Sequence, residues 1–215
     1  MDGAGQNGGD NNVVYQIVGQ PLGVFYLPHC KGLVKNETGS YFYDIEDLDH
    51  NGNVDLSDGG DRYIAGQATP KVILGSNISF RYKNYYISIQ MNGAFGHKIF
   101  NGTGLAYTSM ACFPDYNVFK DAPKKNIIDQ RVSDYWLEKG DYLNFEHLTI
   151  GYNVPLRSKL IRSLRVSCNI SNIGTITGYK GLTPMINSYV VNSTMGIDDK
   201  RNYPLYRTYS LGLSV

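Results

Sequence analysis

KVILGSNISFRYKNYYISIQMNGAF, residues 71–95, decides how this chain folds. On its first arm Val72, Leu74, Ser76, Ile78, Phe80 and Tyr82 share one face, against Ile73, Gly75, Asn77, Ser79 and Arg81. Lys83-Asn84 turns the chain. On the second arm Tyr85, Ile87, Ile89, Met91 and Phe95 oppose Tyr86, Ser88, Gln90, Asn92 and Ala94. Period-two alternation on both sides of a two-residue turn is the signature of a β-hairpin. Each arm runs for about eleven residues, beyond the ~5–6 of ordinary globular strands and close to the ~9–11 that cross a bilayer obliquely.

The same alternation returns downstream. Leu148, Ile150, Tyr152 and Val154 alternate with His147, Thr149, Gly151 and Asn153. Leu164, Val166, Cys168 and Ile170 alternate with Arg165, Ser167, Asn169 and Ser171, and Tyr209, Leu211, Leu213 and Val215 with Thr208, Ser210, Gly212 and Ser214. A soluble sandwich would turn the apolar set inward, whereas a membrane barrel turns it to lipid and keeps the polar set in a wet lumen. Connection lengths favour the barrel. The links 83–84 and 155–161 are short, while 36–70, 96–141 and 173–204 are long, and loops that long are uncommon in compact domains unless they work. Short turns at one end and long loops at the other are the asymmetry of outer-membrane barrels.

Composition fits this reading and excludes others. The 215 residues carry 20 Lys+Arg against 19 Asp+Glu, so the basic excess of a nucleic-acid partner is missing. Eighteen tyrosines and 24 glycines favour strands, turns and surfaces wet at one end. Cys30, Cys112 and Cys168 sit in no metal pattern, and His29, His50, His97 and His147 have no ligand spacing. No nucleophile elbow, phosphate loop or dinucleotide fingerprint appears, so no enzymatic activity is expected. No run of 18 apolar residues exists, which excludes a spanning helix and says nothing about strands. Residues 1–16 are expected to be disordered or a partial upstream strand.

The motif that carries chemistry is DLDHNGNVDLSD, residues 47–58. Calcium needs six to eight oxygens, and side chains at loop positions 1, 3 and 5 converge when a glycine at position 6 allows a sharp turn. Asp47, Asp49, Asn51 and Gly52 fill those places. Asn53 offers its carbonyl at position 7, Asp55 stands at 9 and Asp58 at 12. A Ca2+ site with Asp47, Asp49, Asn51, Asn53 and Asp58 as ligands is the expectation; a solvated turn is the alternative, since Asp, Asn and Gly favour turns in any case. Asp134-Tyr135-Trp136, Tyr116 and Phe119 in the long loop 96–141 offer aromatic surfaces for sugars or a partner, or simply pack that loop.

Several stretches resemble one family in its order: GQPLGVFY (19–26), KGLVK (31–35), the run from Tyr43 to Asn101, DYLNFEHLTIGYNVP (141–155), SLRVSCNISNI (163–173), TGYKGLTP (177–184) and YPLYRTYSLGLSV (203–215). They resemble the C-terminal part of SusC/RagA-type TonB-dependent outer-membrane transporters of Bacteroidetes. That resemblance implies an all-β antiparallel transmembrane barrel of 22 strands, of which residues 17–215 are expected to supply about the last six. It also implies an N-terminal plug, a SusD-like surface lipoprotein as lid, energy delivered by TonB, and uptake of oligosaccharides or peptides across the outer membrane. Tyr179 and Gly181 are expected to fix the turn of TGYKGLTP. One departure is the ending Ser214-Val215, where such barrels usually carry a terminal aromatic residue. The rival from another class is a secreted, calcium-stabilised β-sandwich that binds carbohydrate or mediates adhesion.

Overall fold

The structure, a computed structural model, describes residues 12–57, 59–157, 161–186, 195–200 and 202–215, with Cys112 described by its backbone alone. The described residues are mostly β, with 47% of them in strand. In chain order the strands are β1 (Val14–Tyr15), β2 (Val24–Leu27), β3 (Cys30–Lys35), β4 (Tyr41–Ile45), β5 (Tyr63–Gln67), β6 (Val72–Tyr82), β7 (Tyr85–Phe95) and β8 (Lys98–Asn101). After helices α1 (Gly102–Thr108) and α2 (Ala122–Lys125) come β9 (Leu137–Lys139), β10 (Tyr142–Val154), β11 (Leu164–Thr177), β12 (Ile197–Asp198) and β13 (Thr208–Ser214). Contacts divide them into two units. One comprises residues 1–70, 96–140 and 179–203; the other comprises 71–95, 141–178 and 204–215. Among the described residues no helix is long and apolar enough to cross a membrane.

The second unit is one antiparallel sheet in the order β13-β11-β10-β7-β6. Lys83, with φ +53°, makes the tight turn that the two-residue link requires, and Val72 through Tyr82 pair without a break against Phe95 through Tyr85. Register aligns the alternating sets into rows across all five strands. Ile78, Ile89, Leu148, Ile170 and Tyr209 form one row; Phe80, Ile87, Ile150, Cys168 and Leu211 form the next. Tyr82, Tyr85, Tyr152, Val166 and Leu213 complete a third. This face is bare: Phe80 is 64% and Leu211 85% exposed. Leaving such side chains in water forgoes about 1.5–3 kcal/mol each.

The opposite face is polar and bonded sideways. Ser79 and Ser88 hydroxyls lie 3.0 Å apart, Ser88 donates to Asn77 at 3.0 Å, and Thr149 donates to Asn169 at 2.9 Å. Thr175 donates to Asn144 at 2.9 Å, and Asn92 Nδ2 donates to Glu146 at 3.2 Å. Glu146 is the extra residue of a bulge between Phe145 and His147, which keeps the apolar and polar sets in phase on both sides of it. Gly151 leaves room for the Tyr86 ring, since a Cβ there would stand 2.1 Å from it. The short links 83–84 and 155–163 join strands at one end of the sheet. Residues 96–140 and 179–203 are spliced in at the other. The sheet holds five strands among the described residues, where the sequence reading expected about six. Residues 14–35 form β1, β2 and β3 of the first unit rather than strands of this sheet.

The first unit carries the buried core. Sheets β1-β2-β5 and β12-β8-β9 and the hairpin β3-β4 enclose Val13, Phe25, Leu27, Phe100, Leu105, Ile127 and Ile197. The stretches 36–70 and 96–141, read as loops, therefore have secondary structure of their own. β4 and β5 lie in the first; β8, both helices and β9 lie in the second. β11 continues to Thr177, so the third long connection starts after the expected residue 173. Short segments hide their apolar residues from periodicity, because two or three residues per strand make no repeat. Asn101 opens α1 by accepting the Gly104 amide at 2.6 Å, and its Nδ2 donates to Glu138 at 2.9 Å.

Candidate metal centre

The acidic loop lies between β4 and β5 and is built by carboxylates that accept backbone amides. Asp47 accepts Asn51 N–H at 3.3 Å and Gly52 N–H at 2.8 Å. Asp49 accepts the Asn51 amide at 3.0 Å and the Asn51 Nδ2 at 2.8 Å, and Asn51 Oδ1 accepts the Asn53 amide at 2.8 Å. Gly52 has φ +87°, the left-handed turn expected at that position. These bonds satisfy donors that the tight turn leaves without a strand partner.

Three carboxylates converge. Asp47, Asp49 and Asp61 each place a ligand oxygen within 4.8 Å of the other two. Two oxygens bound to one calcium at ~2.4 Å can be about that far apart, so the spacing fits the ion. Asp61 is buried and organises the loop: its Oδ1 accepts Leu48 N–H at 2.6 Å and Asp49 N–H at 3.2 Å, and its Oδ2 accepts Asp55 N–H at 2.8 Å. Its neighbour Arg62 donates to the Leu56 carbonyl at 2.5 Å and to the Asn12 carbonyl and Tyr15 hydroxyl at 3.0 Å, tying the loop to the sheet of β1, β2 and β5. Desolvation raises the Asp47 carboxyl, but the Gly52 amide, the Asp49 side chain and the amides of Asn51 and His50 together outweigh it and hold it below the ordinary carboxylate range. Asp55 is lowered chiefly by the Ser57 amide and hydroxyl, both at 2.9 Å.

Of the five residues expected as ligands, the structure gathers the Asp47 and Asp49 carboxylates. Asn51 turns its oxygen to the backbone, the bonds of Asn53 described are those of its amide, and Asp58 lies outside the described residues. Asp61 was missed, because it stands beyond the twelve-residue pattern and two glycines, Gly59 and Gly60, fold it back. A Cβ on Gly60 would meet the Asp55 carbonyl oxygen at 2.5 Å, so this return demands glycine.

Other singled-out residues are anchors. Asp134 accepts the Tyr63 hydroxyl and the Cys30 amide at 2.7 Å, and its Oδ2 lies 2.7 Å from His29 Nδ1. Burial, then the Asp134 carboxylate, pushes the Tyr63 hydroxyl well above its ordinary range. Trp136 is buried and Tyr135 half-exposed, in edge contact with each other and with Tyr43; Tyr116 and Phe119 are exposed. Tyr179 is buried, donates to the buried Asp198 at 2.8 Å, and lies where a Cβ on Gly181 would stand 2.3 Å from its ring. That contact fixes the turn of TGYKGLTP.

No family model matches this chain. It is 28% identical over 186 residues to TonB-dependent receptor P3 of Formosa agariphila, covering 79% of this chain and 18% of that protein. It is 25% identical over 180 residues to TonB-dependent receptor SusC of Bacteroides thetaiotaomicron, covering 78% of this chain and 17% of that one. Among solved structures, the RagAB peptide importer in its open-open state matches 94% of this chain and 23% of the chain compared, with a TM-score of 0.71 at 18% identity. These relatives are named as receptors and importers, not enzymes. This chain spans under a fifth of the length of the curated relatives it matches. Over about four-fifths of its own length, it is similar to these two TonB-dependent receptors, SusC among them.

Proposed function

We propose that this chain forms the C-terminal stretch of wall in an outer-membrane, TonB-dependent nutrient importer, within a 22-stranded barrel. The observation that carries the proposal is the two-faced sheet: rows of aliphatic and aromatic side chains stand bare on one side, and hydrogen-bonded polar side chains line the other. Lipid takes the first face and a wet lumen the second. A secreted sandwich would cover the apolar rows with a second sheet, and among the described residues nothing within this unit does. On this reading the short links face the periplasm. The first unit then lies outside the cell, where a SusD-like lipoprotein and an oligosaccharide or peptide substrate would meet it. The plug and the contact with TonB belong to chain beyond these residues.

The acidic loop is then an external staple, with Ca2+ held by Asp47, Asp49 and Asp61 and by whatever Asn51, Asn53 and Asp58 add. Outside the cell even the weak affinity of extracellular modules, ~10⁻⁴–10⁻³ M, would suffice. Asp47→Ala with Asp49→Ala should abolish calcium-dependent protection of residues 47–57 from proteolysis; unchanged protection reduces the loop to a turn. The orientation is tested with an epitope inserted in the complete gene product. Inserted between Lys120 and Asp121 it should be reached by antibody on intact cells; inserted between Lys83 and Asn84, only after the outer membrane is opened. Equal access at both places overturns the proposal.

A further inference from the structure

The charges of the sheet unit are not spread evenly. Its carboxylates, Asp141 and Glu146, belong to the loop-end half of β10 and the residue before it. The turn-end half carries Arg81, Lys83, Arg157, Arg162 and Arg165, all exposed, and no aspartate or glutamate. Two of these cations, Arg81 and Arg165, belong to the polar set; Arg165 donates to Asn153 at 2.9 Å and stacks over Tyr86 at 5.3 Å. The other three sit at the tips. Lys83 is in the hairpin turn with its ammonium 5.4 Å from the centre of the Tyr82 ring, and Arg157 and Arg162 are in the link between β10 and β11. Beside them the apolar face ends in tyrosines: Tyr82, Tyr85 and Tyr152 share one row, with the rings of Tyr85 and Tyr152 4.7 Å apart. Exposed Leu156 and Ile161 flank the two arginines.

Aliphatic rows that give way to a tyrosine row and then to unopposed cations form a gradient in one direction. Tyrosine fits the depth where chain meets headgroup, because its ring is apolar and its hydroxyl wet. Flexible cations just beyond it reach phosphate, keeping their stems along the apolar face. We infer that the turn end of this sheet binds anionic phospholipid headgroups, through Lys83, Arg157 and Arg162 around the Tyr82–Tyr85–Tyr152 row. The inference rests on the membrane reading above. A zwitterionic headgroup offers each cation a phosphate already balanced by its own ammonium, whereas a phosphatidylglycerol headgroup leaves it a net negative charge.

Flotation of the refolded complete gene product, in which the sheet edges are paired, with lipid vesicles tests it, against the triple variant Lys83→Gln/Arg157→Gln/Arg162→Gln. Vesicles are phosphatidylcholine alone, or three parts phosphatidylcholine to one of phosphatidylglycerol. Both proteins should float with phosphatidylcholine. Phosphatidylglycerol should tighten the natural chain at least about tenfold, as expected of several surface cations near an anionic membrane. High salt should erase that gain, and the variant should keep less than about threefold of it. Equal binding of the natural chain to both vesicles, or a variant that retains the full gain, overturns the inference and leaves the membrane reading standing. Binding to neither vesicle sinks the membrane reading and the inference with it. A variant that loses retention on an immobilised acidic peptide while keeping its phosphatidylglycerol gain assigns the strip to a protein partner, and the inference falls.

Discussion

Asp61 shows what one buried carboxylate does for a loop without regular structure. Its two oxygens accept three backbone amides, of Leu48, Asp49 and Asp55, that no strand would otherwise satisfy. Asp61→Ala should cost about 3 kcal/mol or more, since hydrogen bonds to charged groups are worth ~1.5–3 kcal/mol and the orphaned donors add desolvation. Hydrogen exchange is the measurement: protection across 47–56 should collapse, and Asp61→Asn should lose less because one acceptor oxygen remains. Acid acts on the same loop. The folded carboxyls of Asp47 and Asp55 lie below their ordinary value of 3.8, so their contribution is complete above about pH 5 and fades as pH falls through those lowered values. Protection of residues 47–57 should therefore be flat from pH 7 to about 5 and decline below about 4; a decline centred near neutrality would contradict the assignment. The Asp47 and Asp49 pairing was legible in sequence because a loop with fixed spacing folds on itself. Asp61 was not, because its approach depends on the Gly59-Gly60 return.

At the scale of the element, the strands read correctly because their side chains obey one rule for ten residues or more. A single register puts Ile150 in an exposed apolar row and Thr149 in the polar face, where its hydroxyl reaches Asn169. Ile150→Arg should therefore destabilise the sheet in lipid by about 1–2 kcal/mol, below the ~2–4 kcal/mol of a cation at the bilayer midplane because the Ile150 row adjoins the tyrosine row. Thr149→Arg, one residue away, should cost well under half of that. Urea titration of the complete gene product in lipid vesicles checks the pair, and equal costs would contradict the face assignment. The Glu146 bulge was invisible beforehand, since one extra residue on β10 changes no composition and only slightly interrupts the alternation. The short strands β8, β9 and β12 were invisible too. Partners distant in the chain, not local repeats, hold them; β8 pairs with β9 across α1 and α2.

Over the whole molecule, the sheet's outer strands β6 and β13 each pair on one side only among the described residues. In lipid such an edge is prohibitive, and in water it invites association. The isolated chain should therefore need detergent or lipid to stay dispersed; light scattering that finds a soluble monomer without either would sink the barrel reading. The sequence by itself determined the long hairpin, the two faces of β6, β7, β10, β11 and β13, the end at which the long insertions enter and the spacing of the first two acidic-loop carboxylates. Each depends on neighbours a few residues apart, where chain geometry alone dictates direction. Only the tertiary structure decided that the insertions share a buried core around Phe25, Phe100 and Ile127, that Asp61 closes the acidic loop, and that Asp134 and Asp198 gather Tyr63 and Tyr179. Apart from the Asp61 bonds, which span six to thirteen residues, those contacts join segments about twenty to a hundred residues apart. They form because buried apolar area and satisfied polar groups favour them together, and no local spacing records that choice.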